Sequence, residues 1–208
     1  MPAHRGLFIS LEGIDGSGKS TQSHRLRDWF VSHGRDAIVT REPGGAPGAE
    51  DIRRLLVEGD PERWSPETEI LLFTAARRDH LERTIRPALE AGRVVITDRF
   101  ADSTRVYQGA TRGDLRGLVD DIHDLVIAVE PDLTLILDMD PDIALTRGLA
   151  RASGEDRFED FGLPFQQKLR VGFLALAETA PQRCVVIDAS RSPDIIADDI
   201  AAIVETRL

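Results

Sequence analysis

Residues 13–20 read G-I-D-G-S-G-K-S, a full match to the phosphate-binding pattern G-x-x-x-x-G-K-[ST]. The glycines allow successive backbone N–H groups to turn toward phosphate oxygens at the start of a helix, where anions are already favoured. In such loops the lysine, here Lys19, reaches the β- and γ-phosphates, and the hydroxyl of Ser20 coordinates Mg²⁺. The pattern therefore predicts a chain that binds ATP or GTP with magnesium.

Three apolar segments that are typical of strands end in an aspartate, and each aspartate is a candidate for holding the metal. They are Asp98, Asp138 and Asp188. Ligands gather at the carboxyl ends of strands in parallel sheets, so the pattern alone does not choose among them. Asp98 is favoured because Arg99 follows at once, which places a metal-supporting carboxylate and a phosphate-seeking guanidinium at one strand end. We interpret Asp138 and Asp188 as carboxylates that cap helices or solvate loops.

The acceptor of the phosphoryl group is not fixed by this loop. The sequence contains no N-K-x-D segment of the kind with which regulatory GTPases recognise guanine. The five histidines show no metal-ligand spacing, and Cys184, the only cysteine, lies in an apolar run typical of a buried strand. The choice at this point is between a kinase of small molecules and an ATP-driven machine.

Helical and strand periodicities alternate along the chain, which predicts an α/β fold with a largely parallel sheet. Strands are predicted at residues 7–11, 37–40, 94–97, 133–137 and 185–187. Helices are predicted at residues 19–32, 49–58, 66–91, 115–129, 141–150, 165–179 and 194–206. The phosphate loop thus joins the first strand to the first helix, which is the context that its chemistry requires.

Length and composition fit one domain over residues 1–208, without a repeat or a low-complexity tract. The 26 basic and 36 acidic side chains give a net charge of −10, which argues against a nucleic-acid backbone as the main partner. No apolar stretch approaches the ~18 residues of a membrane span, and the first residues do not resemble a signal peptide. We expect a cytoplasmic protein that binds neither nucleic acid nor membranes.

Two polar stretches that contain glycine are too long for tight turns, at residues 42–48 and 151–157. Such stretches in α/β domains are often lids or binding loops, although they also occur as plain surface connections. The motifs that they carry decide between these interpretations.

Six motifs in register resemble those of thymidylate kinases, the nucleoside monophosphate kinases that phosphorylate dTMP. They are L-E-G-I-D-G-S-G-K-S-T (11–21), T-R-E-P-G-G (40–45), L-F-T-A-A-R (72–77), D-R-F with S-T-R-V-Y-Q-G (98–109), P-D-L-T (131–134) and D-R-F-E (156–159). The resemblance implies a three-layer nucleoside monophosphate kinase fold, with a five-stranded parallel sheet of order 2-3-1-4-5, flanking helices and a lid at about residues 147–160. It also implies a homodimer and direct in-line transfer from ATP to dTMP.

The resemblance assigns site residues one by one. For ATP they are Gly13, Ile14, Asp15, Gly16, Ser17, Gly18, Lys19, Ser20, Thr21 and Arg147. For dTMP they are Asp15, Arg41, Pro43, Phe73, Arg77, Arg99, Ser103, Thr104, Tyr107 and Gln108. The expected catalytic residues are Lys19, Arg99, Arg151, Arg157 and Asp15, and the expected metal ligands are Ser20 and Asp98.

The resemblance gives the base and sugar contacts distinct expected roles. Phe73 would stack on thymine and Arg77 would donate to its O4 carbonyl, and the spacing agrees because residues four apart on a helix share a face. Thr104 would face the N3 edge of the base. The ring of Tyr107 would exclude a 2′-hydroxyl by steric overlap.

The acceptor phosphate is expected between Arg41 and Arg99, since two guanidiniums offset the repulsion between donor and acceptor phosphates. Asp15 would lie near the sugar 3′-hydroxyl and the waters of the metal. Pro43 is expected to shape the loop that follows Arg41.

Thymidylate kinases differ in whether the catalytic basic residue lies in the phosphate loop or in the lid. The variable loop positions here, residues 14–17, contain no basic residue, so the chain resembles the bacterial lid-arginine type. We expect Arg151 and Arg157 to offset the charge of the transferring phosphoryl group, and Arg147 to lie over the adenine ring.

Two alternatives remain. A deoxynucleoside kinase or another monophosphate kinase would differ in the acceptor that it phosphorylates. An ATP-powered module would hydrolyse ATP in response to a macromolecular partner and would ignore nucleotides as acceptors.

Overall fold

A computed structural model describes residues 6–60, 63–110, 113–149 and 162–207. Over these ranges, five strands form one parallel sheet: β1 (Leu7–Glu12), β2 (Ala37–Arg41), β3 (Val94–Asp98), β4 (Leu133–Asp138) and β5 (Cys184–Asp188). Their spatial order is β2-β3-β1-β4-β5. The predicted strands and the order implied by the resemblance are both confirmed.

Helices connect the strands. In chain order they are α1 (Lys19–Ser32), α2 (Pro47–Val57), α3 (Pro66–His80), α4 (Arg86–Glu90), α5 (Ala101–Thr104), α6 (Arg116–Ile122), α7 (Pro141–Leu149), α8 (Gly162–Thr179) and α9 (Pro193–Arg207). Wider π-helical segments continue α3, α5 and α6 at Leu81–Ile85, Arg105–Ala110 and His123–Ile127. Within the described ranges, no helix combines the length and the apolar character that a membrane crossing requires.

The helical stretch at residues 101–110 was not predicted from the sequence. Its serine, threonine, valine and tyrosine are weak helix formers, so local preference gives little signal there. The predicted long helix at residues 66–91 is instead α3 and α4 joined by the π-helical segment Leu81–Ile85.

Residues on β1 alternate between two hydrophobic clusters, one on each face of the sheet. Leu7, Ile9 and Leu11 belong to a cluster that includes Phe30 of α1. Phe8 belongs to a second cluster, in which its ring meets the edge of Phe100 with centroids 4.9 Å apart. Packing on both faces fixes the sheet, and with it the loops at the strand ends.

The register of the sheet brings the predicted site segments to one edge. Leu11 of β1 and Arg41 of β2 both lie opposite Asp98 of β3. The phosphate loop follows β1, the glycine-rich stretch follows β2, and Arg99 follows β3. The carboxyl ends of three adjacent strands therefore face a common space, where ligands bind in α/β sheets.

Candidate active site

A cavity of about 330 Å³ lies at the carboxyl ends of β1, β2 and β3. Its lining includes every residue predicted to bind dTMP: Asp15, Arg41, Pro43, Phe73, Arg77, Arg99, Ser103, Thr104, Tyr107 and Gln108. It also includes Gly16, Gly18, Lys19 and Ser20 of the phosphate loop, together with Asp98. The structure thus brings all of the residues predicted to bind dTMP, and five of those predicted to bind ATP, into one space.

Lys19 begins α1 and is held across the loop that precedes it. Its Nζ donates to the carbonyl oxygens of Gly13 at 3.1 Å and Ile14 at 2.8 Å. Gly16 has a φ of 82°, and a Cβ at this position would lie 2.1 Å from the backbone oxygen of Ala144, so the loop requires glycine there. Burial and the nearby charge of Arg99 lower the pKa of Lys19 to about 8.

Some predicted ATP-binding residues do not line the cavity. The side chain of Ile14 is 2% exposed and packs in the hydrophobic core, so it offers ATP only its backbone. The hydroxyl of Ser17 is buried without a hydrogen-bond partner among the described residues. Gly13 offers backbone only, and its carbonyl oxygen accepts from Arg99 as well as Lys19. Thr21 is exposed on α1.

The pair predicted to hold Mg²⁺ is in contact. Ser20 Oγ donates to Asp98 Oδ2 at 2.5 Å, and both residues line the cavity. In the described part of the chain, no group of three or more His, Cys, Asp or Glu side chains is placed to bind a metal by itself. A hydroxyl and one carboxylate fit Mg²⁺, which is usually bound through one or two protein oxygens together with substrate phosphates.

Arg99 is the centre of the hydrogen bonds at the cavity wall. Its Nη1 donates to Gly13 O at 3.1 Å and to Ser103 Oγ at 3.0 Å, and its Nη2 donates to Asp15 Oδ1 at 2.5 Å and to the Tyr107 hydroxyl at 3.1 Å. Its backbone φ is 72°, a left-handed conformation that is unfavourable for arginine. Such a backbone conformation persists only where the surrounding structure holds it, and it is common at functional sites, where it fixes the direction of a side chain.

Asp15 and Tyr107 are joined to this arginine and to each other. The Tyr107 hydroxyl donates to Asp15 Oδ2 at 3.0 Å. Burial alone would raise the pKa of Asp15, but the charges of Arg99 and Lys19 outweigh it and lower this pKa to about 2. Burial raises the pKa of Tyr107 well above its usual range, so the phenol keeps its proton and the carboxylate stays charged.

Arg41 and Pro43 form the opposite wall. The exposed guanidinium of Arg41 donates to Glu50 of α2, with Nη2 3.2 Å from Oε2. Glu50 also accepts from the backbone N–H of Gly45 at 2.8 Å, so one carboxylate ties the arginine to the loop. The peptide bond between Glu42 and Pro43 is cis.

The far end of the cavity contains the residues predicted to recognise the base. Phe73 and Arg77 line it from α3, and Thr104 lines it from α5. Arg77 is 4% exposed, and it donates from Nε to Glu42 Oε2 at 2.7 Å and from Nη2 to Thr104 Oγ1 at 3.0 Å. Gln108 is also fixed, since its Nε2 donates to Glu69 Oε2 at 3.1 Å.

Sequence reasoning missed Glu42, Arg53 and Val57 of the cavity lining, and Glu12 beside it. Arg53 of α2 lines the cavity and donates to the carbonyl oxygen of Pro43 at 2.5 Å. Glu12 ends β1 and accepts from the backbone N–H of Phe100 at 2.7 Å and from Ser103 Oγ at 2.6 Å. Burial and the charge of Asp102 raise the pKa of Glu12 to about 8. An acidic residue that closes an apolar strand is a signal that could have found Glu12.

Three further residues considered on the sequence also lie outside the cavity lining. The interpretation of Asp138 as a cap or loop carboxylate is wrong, because Arg170 of α8 holds it through Nε at 2.6 Å and Nη2 at 2.8 Å. Asp188 accepts from the backbone N–H of Ser190 at 3.0 Å, as expected of a loop carboxylate. Cys184 is buried, and burial raises the pKa of its thiol to about 11, so it is a poor nucleophile.

The predicted lid arginines fall mostly outside the described residues. Arg151 and Arg157 lie there entirely. Arg147 belongs to α7, but its side chain is outside the described part of the chain.

Comparisons with known proteins agree with this geometry. A sequence profile of the family described as thymidylate kinase matches residues 11–200. A thymidylate kinase of Jannaschia sp. (strain CCS1) is 76% identical over 202 residues and covers 97% of each chain. A thymidylate kinase of Caulobacter vibrioides is 53% identical over 205 residues and covers 98% of each chain. The crystal structure of thymidylate kinase from Ehrlichia chaffeensis has a TM-score of 0.78 at 35% identity, over 97% of this chain and 99% of that chain.

Proposed function

Because this chain belongs to the thymidylate kinase family and phosphorylates dTMP to dTDP, we propose that it transfers the γ-phosphoryl group of ATP directly and in line, with Mg²⁺ as cofactor. The observation that carries the proposal is one continuous cavity, lined by the phosphate loop on one side and by Arg41, Phe73 and Arg77 on the other. Such a space brings two anionic substrates together while cations offset their repulsion.

Lys19 and the loop amides bind the donor phosphates. The Nζ of Lys19 is already held over the loop by two carbonyl oxygens, so binding ATP exchanges these partners for phosphate oxygens. Ser20 and Asp98 would hold Mg²⁺, which supplies, when bound, positive charge that offsets the charge of the phosphates.

Arg41 and Arg99 bind the acceptor phosphate of dTMP. The four hydrogen bonds of Arg99 include only one to a carboxylate, that of Asp15, and the others go to neutral oxygens. A dianionic phosphate therefore competes well for this guanidinium. Arg41 is exposed and paired with Glu50, so it can turn toward the phosphate at low cost.

Catalysis needs no strong general base, because the phosphate of dTMP is already ionised at about pH 7. The low pKa of Asp15 keeps its carboxylate charged, so its role is to hold Arg99 and Tyr107 in place and not to move a proton. The rate then comes from positioning and from stabilisation of the charge on the transferring group.

Phe73 stacks on the thymine ring, and Arg77 donates to O4. Arg77 is fixed on two sides, by Glu42 and by Thr104, which aims it before the base arrives. Pre-aligned donors discriminate well because a base without the matching acceptor leaves them unpaired. Thr104 lies beside Arg77 on the wall where the N3 edge of the base is expected.

Tyr107 excludes ribonucleotides. Its ring is packed near Phe165 and Phe173, with centroids 6.1 and 6.3 Å away, and its hydroxyl is bonded to Asp15. A ring held in this way yields little to an additional 2′-hydroxyl. Ser103 and Gln108 complete this wall of the cavity.

A lid at about residues 147–160 supplies Arg151 and Arg157 to the transferring group, and Arg147 to the adenine ring. This part of the proposal is supported by the sequence, since positions 14–17 of the phosphate loop carry no basic residue. Closure of the lid would exclude water that otherwise accepts the phosphoryl group. Arg151→Ala and Arg157→Ala should each lower kcat by about 100-fold while changing the KM for dTMP less. Wild-type kcat in both variants would contradict the lid-arginine assignment.

A homodimer in the cytoplasm is the remaining part of the proposal. The dimer is supported by the resemblance, and the cytoplasmic location is supported by the single cysteine, which is buried and free and fits a reducing compartment. Sedimentation velocity at several protein concentrations tests the dimer.

The experiment that tests the whole proposal offers ATP and Mg²⁺ with dTMP, dUMP, dCMP or thymidine in turn. We expect dTMP to give the highest kcat/KM. Strong turnover of thymidine without turnover of dTMP would indicate a nucleoside kinase. With a chiral thiophosphate at the γ-position, direct in-line transfer predicts inversion at phosphorus, and retention would indicate a covalent enzyme intermediate.

A further inference from the structure

His80 is completely buried at the end of α3 and does not line the cavity. Its Nδ1 lies 3.0 Å from Glu42 Oε1, and its Nε2 lies 2.7 Å from Thr40 Oγ1. A neutral imidazole that donates from Nδ1 to the carboxylate accepts from the threonine hydroxyl at Nε2. Both ring nitrogens therefore have a partner, and one of these partners belongs to the site.

Glu42 is the link between His80 and the base-binding end of the cavity. Its Oε1 is bonded to His80, and its Oε2 accepts from Nε of Arg77 at 2.7 Å. The side chains of Glu42 and Arg77 are each 4% exposed. A buried ion pair is favourable only when its geometry is good and its remaining lone pairs are satisfied, and His80 satisfies the second carboxylate oxygen.

This arrangement leaves one terminal nitrogen of Arg77, Nη1, for a ligand. Nε is taken by Glu42, and Nη2 is taken by the Phe100 carbonyl oxygen at 3.1 Å and by Thr104 Oγ1 at 3.0 Å. Nη1 donates to none of the described residues, although the side chain lines the cavity. The direction of the guanidinium plane is thus set on its Nε side by Glu42, whose carboxylate is held in turn by His80, and on its Nη2 side by Phe100 and Thr104.

The backbone at Gly45 packs closely against the imidazole of His80. Gly45 has a φ of 83°, and a Cβ there would lie 2.4 Å from His80 Nε2 and 2.5 Å from Thr40 Oγ1. Thr84 Oγ1 donates to the Gly45 carbonyl oxygen at 2.7 Å, which holds the loop over the imidazole. The same short loop contains Pro43 and follows Arg41, so His80 lies beneath both the base-binding and the phosphate-binding walls.

We propose that His80 is a positioning residue for base recognition, and that it acts by donating a hydrogen bond to Glu42, which aims Arg77 at the pyrimidine 4-position. The inference rests on the proposed role of Arg77 as the donor to O4 of thymine. It predicts that loss of the Nδ1 donor reduces the selectivity for a 4-carbonyl over a 4-amino pyrimidine. A misaligned Arg77 would bind the 4-carbonyl group less well and would disfavour the 4-amino group less.

The test compares two substitutions of similar size. His80→Leu removes the donor, whereas His80→Asn places an amide N–H close to the position of Nδ1. We expect His80→Leu to lower kcat/KM for dTMP by about 10-fold or more, mainly through KM, because a hydrogen bond to a charged group is lost. We expect the ratio of kcat/KM for dTMP to that for dCMP to fall by about the same factor. His80→Asn should restore both quantities to within about 3-fold of the wild-type values.

A purely structural role predicts a different result. His80→Leu would then lower the melting temperature while leaving the dTMP-to-dCMP ratio and the KM for dTMP unchanged, and this outcome would overturn the proposal. Equal ratios in His80→Leu and His80→Asn would also overturn it. Circular dichroism melts identify any variant that fails to fold, in which case the comparison rests on His80→Asn and on His80→Gln, which places its amide at the position of Nε2 and should not restore the ratio.

Two further variants separate this inference from the function on which it rests. Arg77→Met keeps the apolar stem and removes every donor, and it should raise the KM for dTMP by more than about 10-fold. An unchanged KM in Arg77→Met would refute the role of Arg77 itself. A raised KM there with wild-type kinetics in His80→Leu would refute only the role of His80. In a Glu42→Gln background, adding His80→Leu should lower kcat/KM for dTMP by less than about a further 3-fold, because the effects of coupled residues are not additive.

Discussion

Two regions of this molecule contain arginines that are mostly shielded from solvent, and they pair these arginines differently. In the cavity, Arg99 has one carboxylate partner, Asp15, and its other hydrogen bonds go to neutral oxygens. Behind the 101–110 segment, Arg105 contacts three carboxylates, those of Asp102, Asp120 and Glu130.

The second region extends across the fold. Arg183, which precedes β5, donates to Asp102 from both terminal nitrogens, at 2.5 and 2.9 Å, and it lies 3.6 Å from Glu130. His123 adds a contact to Glu130 at 3.2 Å. The charges of Asp102 and Glu130 outweigh burial and raise the pKa values of Arg105 and Arg183 above their usual range, and the charge of Asp15 does the same for the pKa of Arg99 in the cavity.

This difference in carboxylate partners indicates which cations can bind a substrate phosphate. A guanidinium with several carboxylates gains little from a phosphate, whereas one held mainly by neutral oxygens gains a great deal. We therefore expect the cations of the cavity to determine activity, and the paired arginines behind it to determine stability.

The largest expected effect is on activity in the cavity. Lys19→Ala removes the charge that binds the donor phosphates, and it should lower kcat/KM for ATP by about 1,000-fold or more, as loss of a preorganised charge at a reacting group does. Coupled-assay kinetics measure this. Lys168→Ala, at the only other lysine and on an exposed part of α8, is the matched control and should be unchanged. Substantial turnover in Lys19→Ala would contradict the role of the phosphate loop.

The next effect is on stability, in the second region. Arg183→Met leaves Asp102 buried with fewer partners and should lower the free energy of unfolding by about 3 kcal/mol. Urea denaturation measures this, and kcat/KM for dTMP should stay within about 3-fold of wild type at temperatures where the variant is folded. Arg25→Met, which breaks an exposed pair with Asp194, is the control and should cost less than about 1 kcal/mol. A stable Arg183→Met with a raised KM would show that the two regions act as one.

These regions also differ in how far the sequence predicts them. Lys19 and Ser20 follow from a local pattern whose spacing is set by the chemistry of phosphate binding. The contact between Arg183 and Asp102 joins residues 81 positions apart, and no local pattern marks either as a member of a pair. Long-range ion pairs depend on sheet order and register, which periodicity does not supply.

The same limit explains the residues that were missed. Arg53 lies on a correctly predicted helix, but the direction of its side chain depends on how α2 packs against α3. The left-handed backbone of Arg99 is imposed by hydrogen bonds from neighbouring segments, such as that from its own N–H to the Leu11 carbonyl oxygen at 2.9 Å. Residues 101–110 are helical against weak local propensity, because Val106 and Tyr107 pack in the hydrophobic cluster that contains strand residues and Phe173 of α8.

A smaller effect separates two functions of one cavity residue. Tyr107→Ala removes the ring and should lower the preference for dUMP over UMP by about 10-fold, the scale of steric discrimination in a pocket. Tyr107→Phe keeps the ring and removes only the hydroxyl that bonds Asp15, so its preference should stay near wild type. Kinetics with both nucleotides measure the ratio. An unchanged ratio in Tyr107→Ala would remove the steric explanation.

The smallest expected effect is the pH dependence of kcat/KM for ATP, which depends on Lys19 in the cavity. Burial and the charge of Arg99 lower the pKa of Lys19 to about 8, so the free enzyme loses the charged form of Lys19 as the pH rises through this value. Because kcat/KM reports the free enzyme, kcat/KM for ATP should fall about 4-fold between about pH 7 and 8.5.

In the complex, the phosphates of ATP favour the charged lysine, and kcat should therefore change little over the same range. Lys19→Arg is the control, since a guanidinium keeps its charge at these pH values and any remaining activity should lose this pH dependence. A flat profile of kcat/KM for ATP up to about pH 9 in the wild type would mean that Lys19 is better paired than its two carbonyl partners indicate. The two regions would then differ only in the number of carboxylates around each arginine. The deprotonation of a cavity cation near neutral pH would no longer distinguish them.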